Sequence, residues 1–579
     1  MRRGPLLVAT LVAVGPVAAG VFVSTGWSWS WDHLHRVPLA MRIAWLALLG
    51  TALAPPCATS FAAAAAWIGE RLRPESRRAA IALGAGAAVM CFAFPIATHV
   101  YGDSLVYLRL HSPASLATYL SDVFSLGNRF RGSVVLALHE ALAQWTGGSL
   151  AGAYRITGAL CAGVFLFAHA RFASRLPAAP WVRGLVLWLG IVDGANALFF
   201  GHVETYALPR LFACLFLMRM TQALLAPTPR SVRASDLALL GLALVCHVQT
   251  AVLIPSLAAW VLASHATRSP ARRAWITPAT VGIALGAACV AIALVYVRLG
   301  AATQNYLYSG GAPTRAQMFL PASLPPDANP ALRYTLFSPA HLADLLGAPW
   351  TISSAAAIFC CVALLPRRRF ETGVLVLLPA VFFGIAHDAL INPSIGFPFD
   401  WDMLCVASPP VLYLAAWLLA RTTGPPRALA PLALVLGLPT LVLFGVNAHP
   451  EAARHRVQDM ALWLRDSYYG GTHYRLNASF AGIGDARREI DARERVFARL
   501  VRHTWVGDHE TALEGSNLGL LCDQNGQHER ALRVFRAVVQ VEPAPAFLRP
   551  LGLLECAYGN REEGMRLLRE YRALAAEGS

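Results

Sequence analysis

Apolar runs long enough to cross about 30 Å of hydrocarbon at about 1.5 Å per helical residue recur along the first 447 residues. Inside hydrocarbon, every backbone N–H and C=O must be satisfied within the protein, which leaves helices as the natural way for such runs to cross. The chain is 56% hydrophobic and 14% charged over 579 residues, so it reads as an all-α, polytopic membrane bundle. Its net charge of +15 comes entirely from arginine, with no lysine, a usage that with the abundance of Ala, Gly and Pro fits a GC-rich bacterial genome. The arginines gather in short loops between apolar runs, as cytoplasmic loops do, rather than on a basic face, so no nucleic acid is expected as a partner. Nine of the eleven cysteines lie in or beside apolar runs without metal-ligand spacing, and they read as small core residues.

Thirteen spans are expected, at 6–24, 40–67, 78–98, 150–170, 183–200, 205–225, 236–248, 250–264, 276–298, 347–365, 370–387, 403–420 and 428–447. The first run also fits a cleaved signal peptide, because Arg2-Arg3 precede it and Ala18-Ala19-Gly20 close it; cleavage changes no side assigned downstream. With the N-terminus in the cytoplasm, nineteen arginines fall inside and ten outside, in keeping with the positive-inside rule. A single span over 236–264 would put Arg367-Arg368-Arg369 outside, so a short hairpin around His247-Val248-Gln249 is preferred.

This topology gathers the polar interruptions on one face. Tyr101-Gly102-Asp103-Ser104 follows the third span, Gly201-His202-Val203-Glu204-Thr205-Tyr206 joins the fifth and sixth, and His247 with Gln249 tips the hairpin. His387, Asp388, Asn392, Asp400 and Asp402 join the eleventh and twelfth. Two longer outer loops complete this face, 99–149 with surface helices expected at 115–123 and 134–144, and the Pro- and Gly-rich 299–346.

Beyond residue 447 hydropathy falls and charge rises, so 1–447 is read as the membrane domain and 448–579 as an outer, periplasmic helical domain. Leu518-Gly519, Cys522, Gly526, Ala531, Phe535, Val538 and Pro543 follow the tetratricopeptide helix-pair pattern, repeated 33 residues later from Leu551-Gly552 to Tyr571. These repeats, at about 512–579, would bind a protein partner or cap the membrane domain. A preceding helix is expected over 487–501.

A charge among membrane helices costs about 2.5–3.5 kcal/mol even on permissive insertion scales, so such residues usually have partners or functions. Each outer-face residue has a functional and a structural reading. Asp103 is an acid at the mouth of the first outer loop or the cap of a surface helix. His202, Glu204 and Tyr206 bind sugar hydroxyls or form a structural hydrogen-bonded set; His247 with Gln249 binds substrate or packs in the core. Asp400 and Asp402, joined by Asp388 or Asn392, hold Mg2+ or Mn2+, or else Asp402 caps the twelfth span while Trp401 anchors the interface.

An acidic residue opening the first large outer loop, about a dozen spans, a short hairpin, a second outer loop and an outer C-terminal domain together resemble the GT-C superfamily of polyprenyl-phosphate-sugar-dependent glycosyltransferases. With the repeats, the chain looks like the transmembrane O-mannosyltransferases that carry tetratricopeptide repeats. The resemblance covers the architecture of essentially the whole chain, with two spans preceding the one that leads into Asp103. It implies a bacterial inner-membrane enzyme that takes a sugar from a polyprenyl-phosphate donor to a protein, glycan or lipid acceptor on the outer face. In that chemistry Asp103 is the general base, and Arg298 and Arg333 suit the departing phosphate. A polysaccharide polymerase or O-antigen-ligase-like enzyme, which would depend on 299–346 rather than Asp103, stands as an alternative. So do a lipid-linked-sugar transporter or flippase, and a non-catalytic scaffold.

Overall fold

The computed structural model describes residues 32–71, 77–99, 134–226, 230–266, 335–368, 371–391, 401–422, 429–466, 485–502 and 508–577, with Tyr101, Ser104, Leu108, Leu320, Leu476, Ser479, Phe480 and Ile483. Among the described residues the elements are α-helices and short 3-10 helices, with no strand. Five helices are long and apolar enough to cross a membrane: Leu150–Ser174, Ala207–Leu225, Thr372–Leu390, Met403–Ala420 and Leu429–Ala448. Counting the bent pair Pro339–Ile352 and Ala355–Pro366 as one span makes six. The chain divides between Ala453 and Arg454 into two compact units.

Several expected spans are broken. The run at 40–67 is two helices, Leu39–Leu53 and Pro55–Arg71, because Ala54 precedes Pro55 and takes extended backbone, as the proline ring demands of its neighbour. The run at 183–200 is a helix that stops at Ile191, followed by the 3-10 helix Gly194–Phe199. At 347–365 the two helices meet at 99°, with Ser354 in the left-handed region at φ 59°. Over 236–264, Ala234–Cys246 and Ile254–Ala266 are joined by the 3-10 turn Val248–Leu253. They pack on different partners, the first on Ala207–Leu225 and the second on Thr372–Leu390.

The first unit is organised around Ser408–Ala420, whose sequence is apolar on all sides and which is buried from Ser408 to Leu419. Ala207–Leu225, Ala355–Arg368, Thr372–Leu390 and Pro180–Ile191 surround it. Between lipid-facing helices, association depends on close packing and interhelical hydrogen bonds rather than on water exclusion. Pro55–Arg71 and Pro180–Ile191 meet at Gly69 and Gly184, where an added Cβ would lie 1.8 Å and 1.9 Å from carbonyl oxygens of the facing helix. Prolines inside helices are compensated across the same kind of contact. Pro439 deprives the Val435 carbonyl of its helical donor, and the indole of Trp45 donates to that oxygen at 3.1 Å. Beside Pro379, the Ala380 N–H donates to Ser256 Oγ at 2.9 Å.

In the second unit, Ala486–Arg502 precedes two consecutive helix pairs, His509–Gln524 with His528–Val541 and Pro545–Tyr558 with Arg561–Glu577. Phe497, Leu518, Phe535, Val538, Leu551 and Leu554 are among the residues of its core. Gly519 lies against the Phe535 ring, where a Cβ would come within 2.5 Å. Glu555 ties the pairs together: its carboxylate accepts from Arg536 Nε at 2.6 Å and from the Asn560 N–H at 2.8 Å.

Gly519→Val must displace the Phe535 ring, an overpacking cost of about 1–3 kcal/mol, and hydrogen exchange should show it as faster exchange in His509–Gln524 and His528–Val541. The Arg536 guanidinium holds the Glu555 carboxyl below its ordinary range. The stabilisation from Glu555 is therefore complete above the ordinary carboxylate pKa and lost as pH falls through the lowered folded value. Glu555→Gln should be less stable than the parent at neutral pH, and the gap should close in acid; a gap that persists unchanged would contradict the pairing.

Candidate functional site

The polar stretch after Phe200 is a turn that sends its side chains in different directions. Gly201 sits at φ +72°, a backbone rarely open to other residues, and a Cβ there would lie 3.2 Å from the Cα of Arg155. This turn returns His202 into the bundle, where it is 2% exposed. Its Nε2 lies 2.9 Å from Oδ2 of Asp402, itself 1% exposed, although the two residues are 200 positions apart. The other carboxylate oxygen of Asp402 accepts from the Met403 N–H at 3.0 Å and starts the 3-10 helix Met403–Ala407, which leads into the central helix. Asp402 thus does the capping work the sequence suggested while also holding His202.

Aromatic rings close around this pair. Trp401 stacks on His202 with centroids 5.3 Å apart, and Tyr101 stands edge-on to both, 6.4 Å from His202 and 6.3 Å from Trp401. Tyr101 is fully buried, as is Ser104, whose N–H donates to the Tyr101 carbonyl at 3.3 Å. With Nε2 protonated and donating to Asp402, His202 presents an accepting lone pair at Nδ1. That Nδ1 and Ser104 Oγ are buried with no hydrogen-bond partner among the described residues. Buried polar atoms in native proteins are nearly always paired, which makes these two atoms candidates for contact with a polar ligand.

Beside the pair lies a cavity of about 30 Å³ lined by Tyr206, Arg210, His247, Gln249, Thr250 and Asp402, among others. Tyr206 and His247 pack on each other at its wall with ring centroids 4.7 Å apart, and His247 Nδ1 accepts from the Gln249 N–H at 3.3 Å. His247 is within electrostatic reach of His387 and Asp402. His387 Nδ1 lies 3.0 Å from Asp388 Oδ1, and His387 Nε2 is a further buried atom with no partner among the described residues. The structure thus brings His202, Tyr206, His247, Gln249, His387, Asp388 and Asp402 into one neighbourhood from three distant stretches of chain.

Glu204 is buried near Tyr154, whose ring stacks on His139 at 3.7 Å, with Glu140 close by. Asp103, Arg298, Arg333, Asn392 and Asp400 lie outside the described residues. Among the described residues no three His, Cys, Asp or Glu groups converge as metal ligands, and both oxygens of Asp402 are already engaged.

Sequence reasoning missed the group that holds the site's elements together. Arg210, counted there as an outer-segment arginine, is buried in the first turn of Ala207–Leu225. Its Nη2 lies 3.3 Å from Asp193 Oδ1 and donates to Asn196 Oδ1 at 3.0 Å, while Nη1 donates to Ser408 Oγ at 3.3 Å. The Ser408 hydroxyl lies 2.6 Å and 2.8 Å from the two Asp193 oxygens, and Asp193 also caps Gly194–Phe199 through the Ala195 N–H. One acid and one base inside neighbouring apolar runs were the available signal.

Removing one member of such a pair leaves an uncompensated buried charge, at a cost of about 3–5 kcal/mol. Arg210→Met should therefore lower the melting temperature in detergent sharply. The double variant with Asp193→Asn should recover a substantial part of the loss, and simple additivity of the two changes would count against the clamp. Compared with models of protein families, with curated proteins and with solved structures, the chain matches none.

Proposed function

We propose that this chain is an integral membrane glycosyltransferase of the GT-C type, transferring a sugar from a polyprenyl-phosphate donor to a protein, glycan or lipid acceptor on the outer face of a bacterial inner membrane. In this reading the chain crosses about thirteen times from a cytoplasmic N-terminus. Its C-terminal helix pairs are tetratricopeptide-like repeats in the periplasm that recruit a protein partner.

The observation that carries the reading is the buried His202–Asp402 pair with Tyr101 and Trp401 packed on it. Tyr101 and Ser104 flank Asp103 in sequence, both are buried, and Tyr101 touches His202 and Trp401. Two sequence neighbours of the proposed base are therefore buried, one of them against a histidine that a carboxylate holds, and polar atoms there have no partner among the described residues.

The chemistry balances simply. The acceptor's nucleophilic oxygen or nitrogen attacks the anomeric carbon, the C–O bond to the lipid phosphate breaks, and the bonding pair leaves with the phosphate. Asp103 takes the proton of the nucleophile. His202, held by Asp402, accepts a hydrogen bond from a sugar hydroxyl at Nδ1. Arginines receive the departing phosphate, with Arg298 and Arg333 as candidates, because a guanidinium fork can make two parallel bonds to it.

Loss of a general base typically costs about 10²–10⁴-fold in rate. Asp103→Asn should reduce transfer from radiolabelled polyprenyl-phosphate sugars by that order with an unchanged melting temperature, and turnover equal to that of the parent would sink the base assignment. His202→Gln should weaken transfer while Asp103 still acts.

A further inference from the structure

The cavity beside the His202–Asp402 pair is too small for a sugar ring. A water needs about 10–15 Å³ of such space, so a volume of about 30 Å³ takes about two waters at most. Its wall is nonetheless partly polar, with Arg210, His247, Gln249, Thr250 and Asp402 among the lining residues.

These residues offer donors and acceptors in balance. The Nε of Arg210 is buried with no partner among the described residues, while both its Nη groups are committed to Asp193, Asn196 and Ser408. His247 Nδ1 accepts from the Gln249 N–H at 3.3 Å, which places the proton of the neutral ring on Nε2 and makes that nitrogen a donor. Asp402 and Thr250 supply the acceptors. Each Asp402 oxygen takes one bond, from His202 at 2.9 Å or from the Met403 N–H at 3.0 Å, and keeps a second lone pair. The Thr250 hydroxyl gives its hydrogen to the His247 carbonyl at 2.8 Å, so its oxygen is left to accept. A water uses both sets at once. Chloride would accept from Arg210 and His247 but would face the Asp402 carboxylate, and a metal cation would face the guanidinium.

We propose that this cavity binds a buried water that accepts from Arg210 Nε and His247 Nε2 and donates to Asp402 and Thr250. The water joins the Asp193–Arg210 clamp to the carboxylate that holds His202, so the two polar networks of the first unit become one. His247 and Thr250 are then positioning residues, acting on His202 through the water and Asp402. Their effect on sugar transfer rests on the transfer reading; the water site does not.

Solid-state NMR on the full chain in nanodiscs, with isotope-labelled histidine, tests this. The His247 ring N–H should receive magnetisation from a water held longer than surface water. Thr250→Val, which removes the hydroxyl at nearly constant size, should weaken that signal and move the His202 ring shifts, and Thr250→Ser should restore both. Ala213→Leu, which puts a larger side chain at a lining position, should abolish the signal; if that variant does not fold, Thr250→Val decides. Sugar transfer should fall about five-fold in Thr250→Val and recover in Thr250→Ser. Absence of the water signal from the unaltered protein would overturn the site, as would a His247 signal that follows chloride concentration and so marks an anion. His202 shifts indifferent to Thr250→Val would overturn the coupling. Water signal and coupled shifts without transfer sink the enzymatic reading and keep the site; transfer without the water signal sinks the site alone.

Discussion

The first unit, with its candidate membrane spans, depends on how Asp193 and Arg210 neutralise each other. In hydrocarbon an unpaired carboxylate or guanidinium is expensive, and an ion pair offsets its desolvation only when its remaining donors and acceptors are also used. Here Ser408 and Asn196 supply those extra bonds. The four residues come from a 3-10 turn and from the first turns of two helices, so satisfying one charge orients three elements together. Two of those elements deliver the site: Gly194–Phe199 leads through Gly201 to His202, and Ser408–Ala420 continues from the turn that begins at Asp402.

The same accounting of polar groups explains the less regular features of the bundle. Pro439 and Pro379 each disturb a helical ladder, and each disturbed region is met by a side chain from another helix, Trp45 at the Val435 carbonyl and Ser256 at the Ala380 N–H. Bonds of this kind fix helix register in a way that apolar packing against lipid-like neighbours does not. The Gly69–Gly184 approach adds a steric version of the same specificity, since only hydrogen atoms at both positions allow the two backbones so close.

The helical, membrane-type character was legible because hydropathy and the need to satisfy backbone groups both act locally. Breaks within the expected spans were less legible: a window averaged over 40–67 or 347–365 stays apolar across Ala54-Pro55 and Ser353-Ser354, where a few backbone torsions decide the outcome. The sequence marks His202, His247, His387 and Asp402 because polar residues at the ends of apolar runs stand out, and the structure gathers these four in one neighbourhood. Their pairing was not readable, since His202 and Asp402 meet only through packing between segments 200 residues apart. The burial of Arg210 was not readable for a related reason: a charge near a span end looks like a loop residue until its partner, Asp193, is known.

The stretch from Gly201 to Tyr206 shows why a polar cluster in sequence is not yet a site. His202 reaches Asp402, Glu204 turns toward Tyr154, and Tyr206 faces His247. An extended strand would alternate such side chains between two faces, and a helix would place the first and last on one face. The left-handed glycine at 201 and the short turn after it produce neither pattern, so three neighbouring polar residues serve three surroundings. Function therefore has to be assigned by what each side chain meets across the bundle. By that criterion His202, with Asp402 on one ring nitrogen and no partner among the described residues on the other, has surroundings different from those of Glu204 only two positions away.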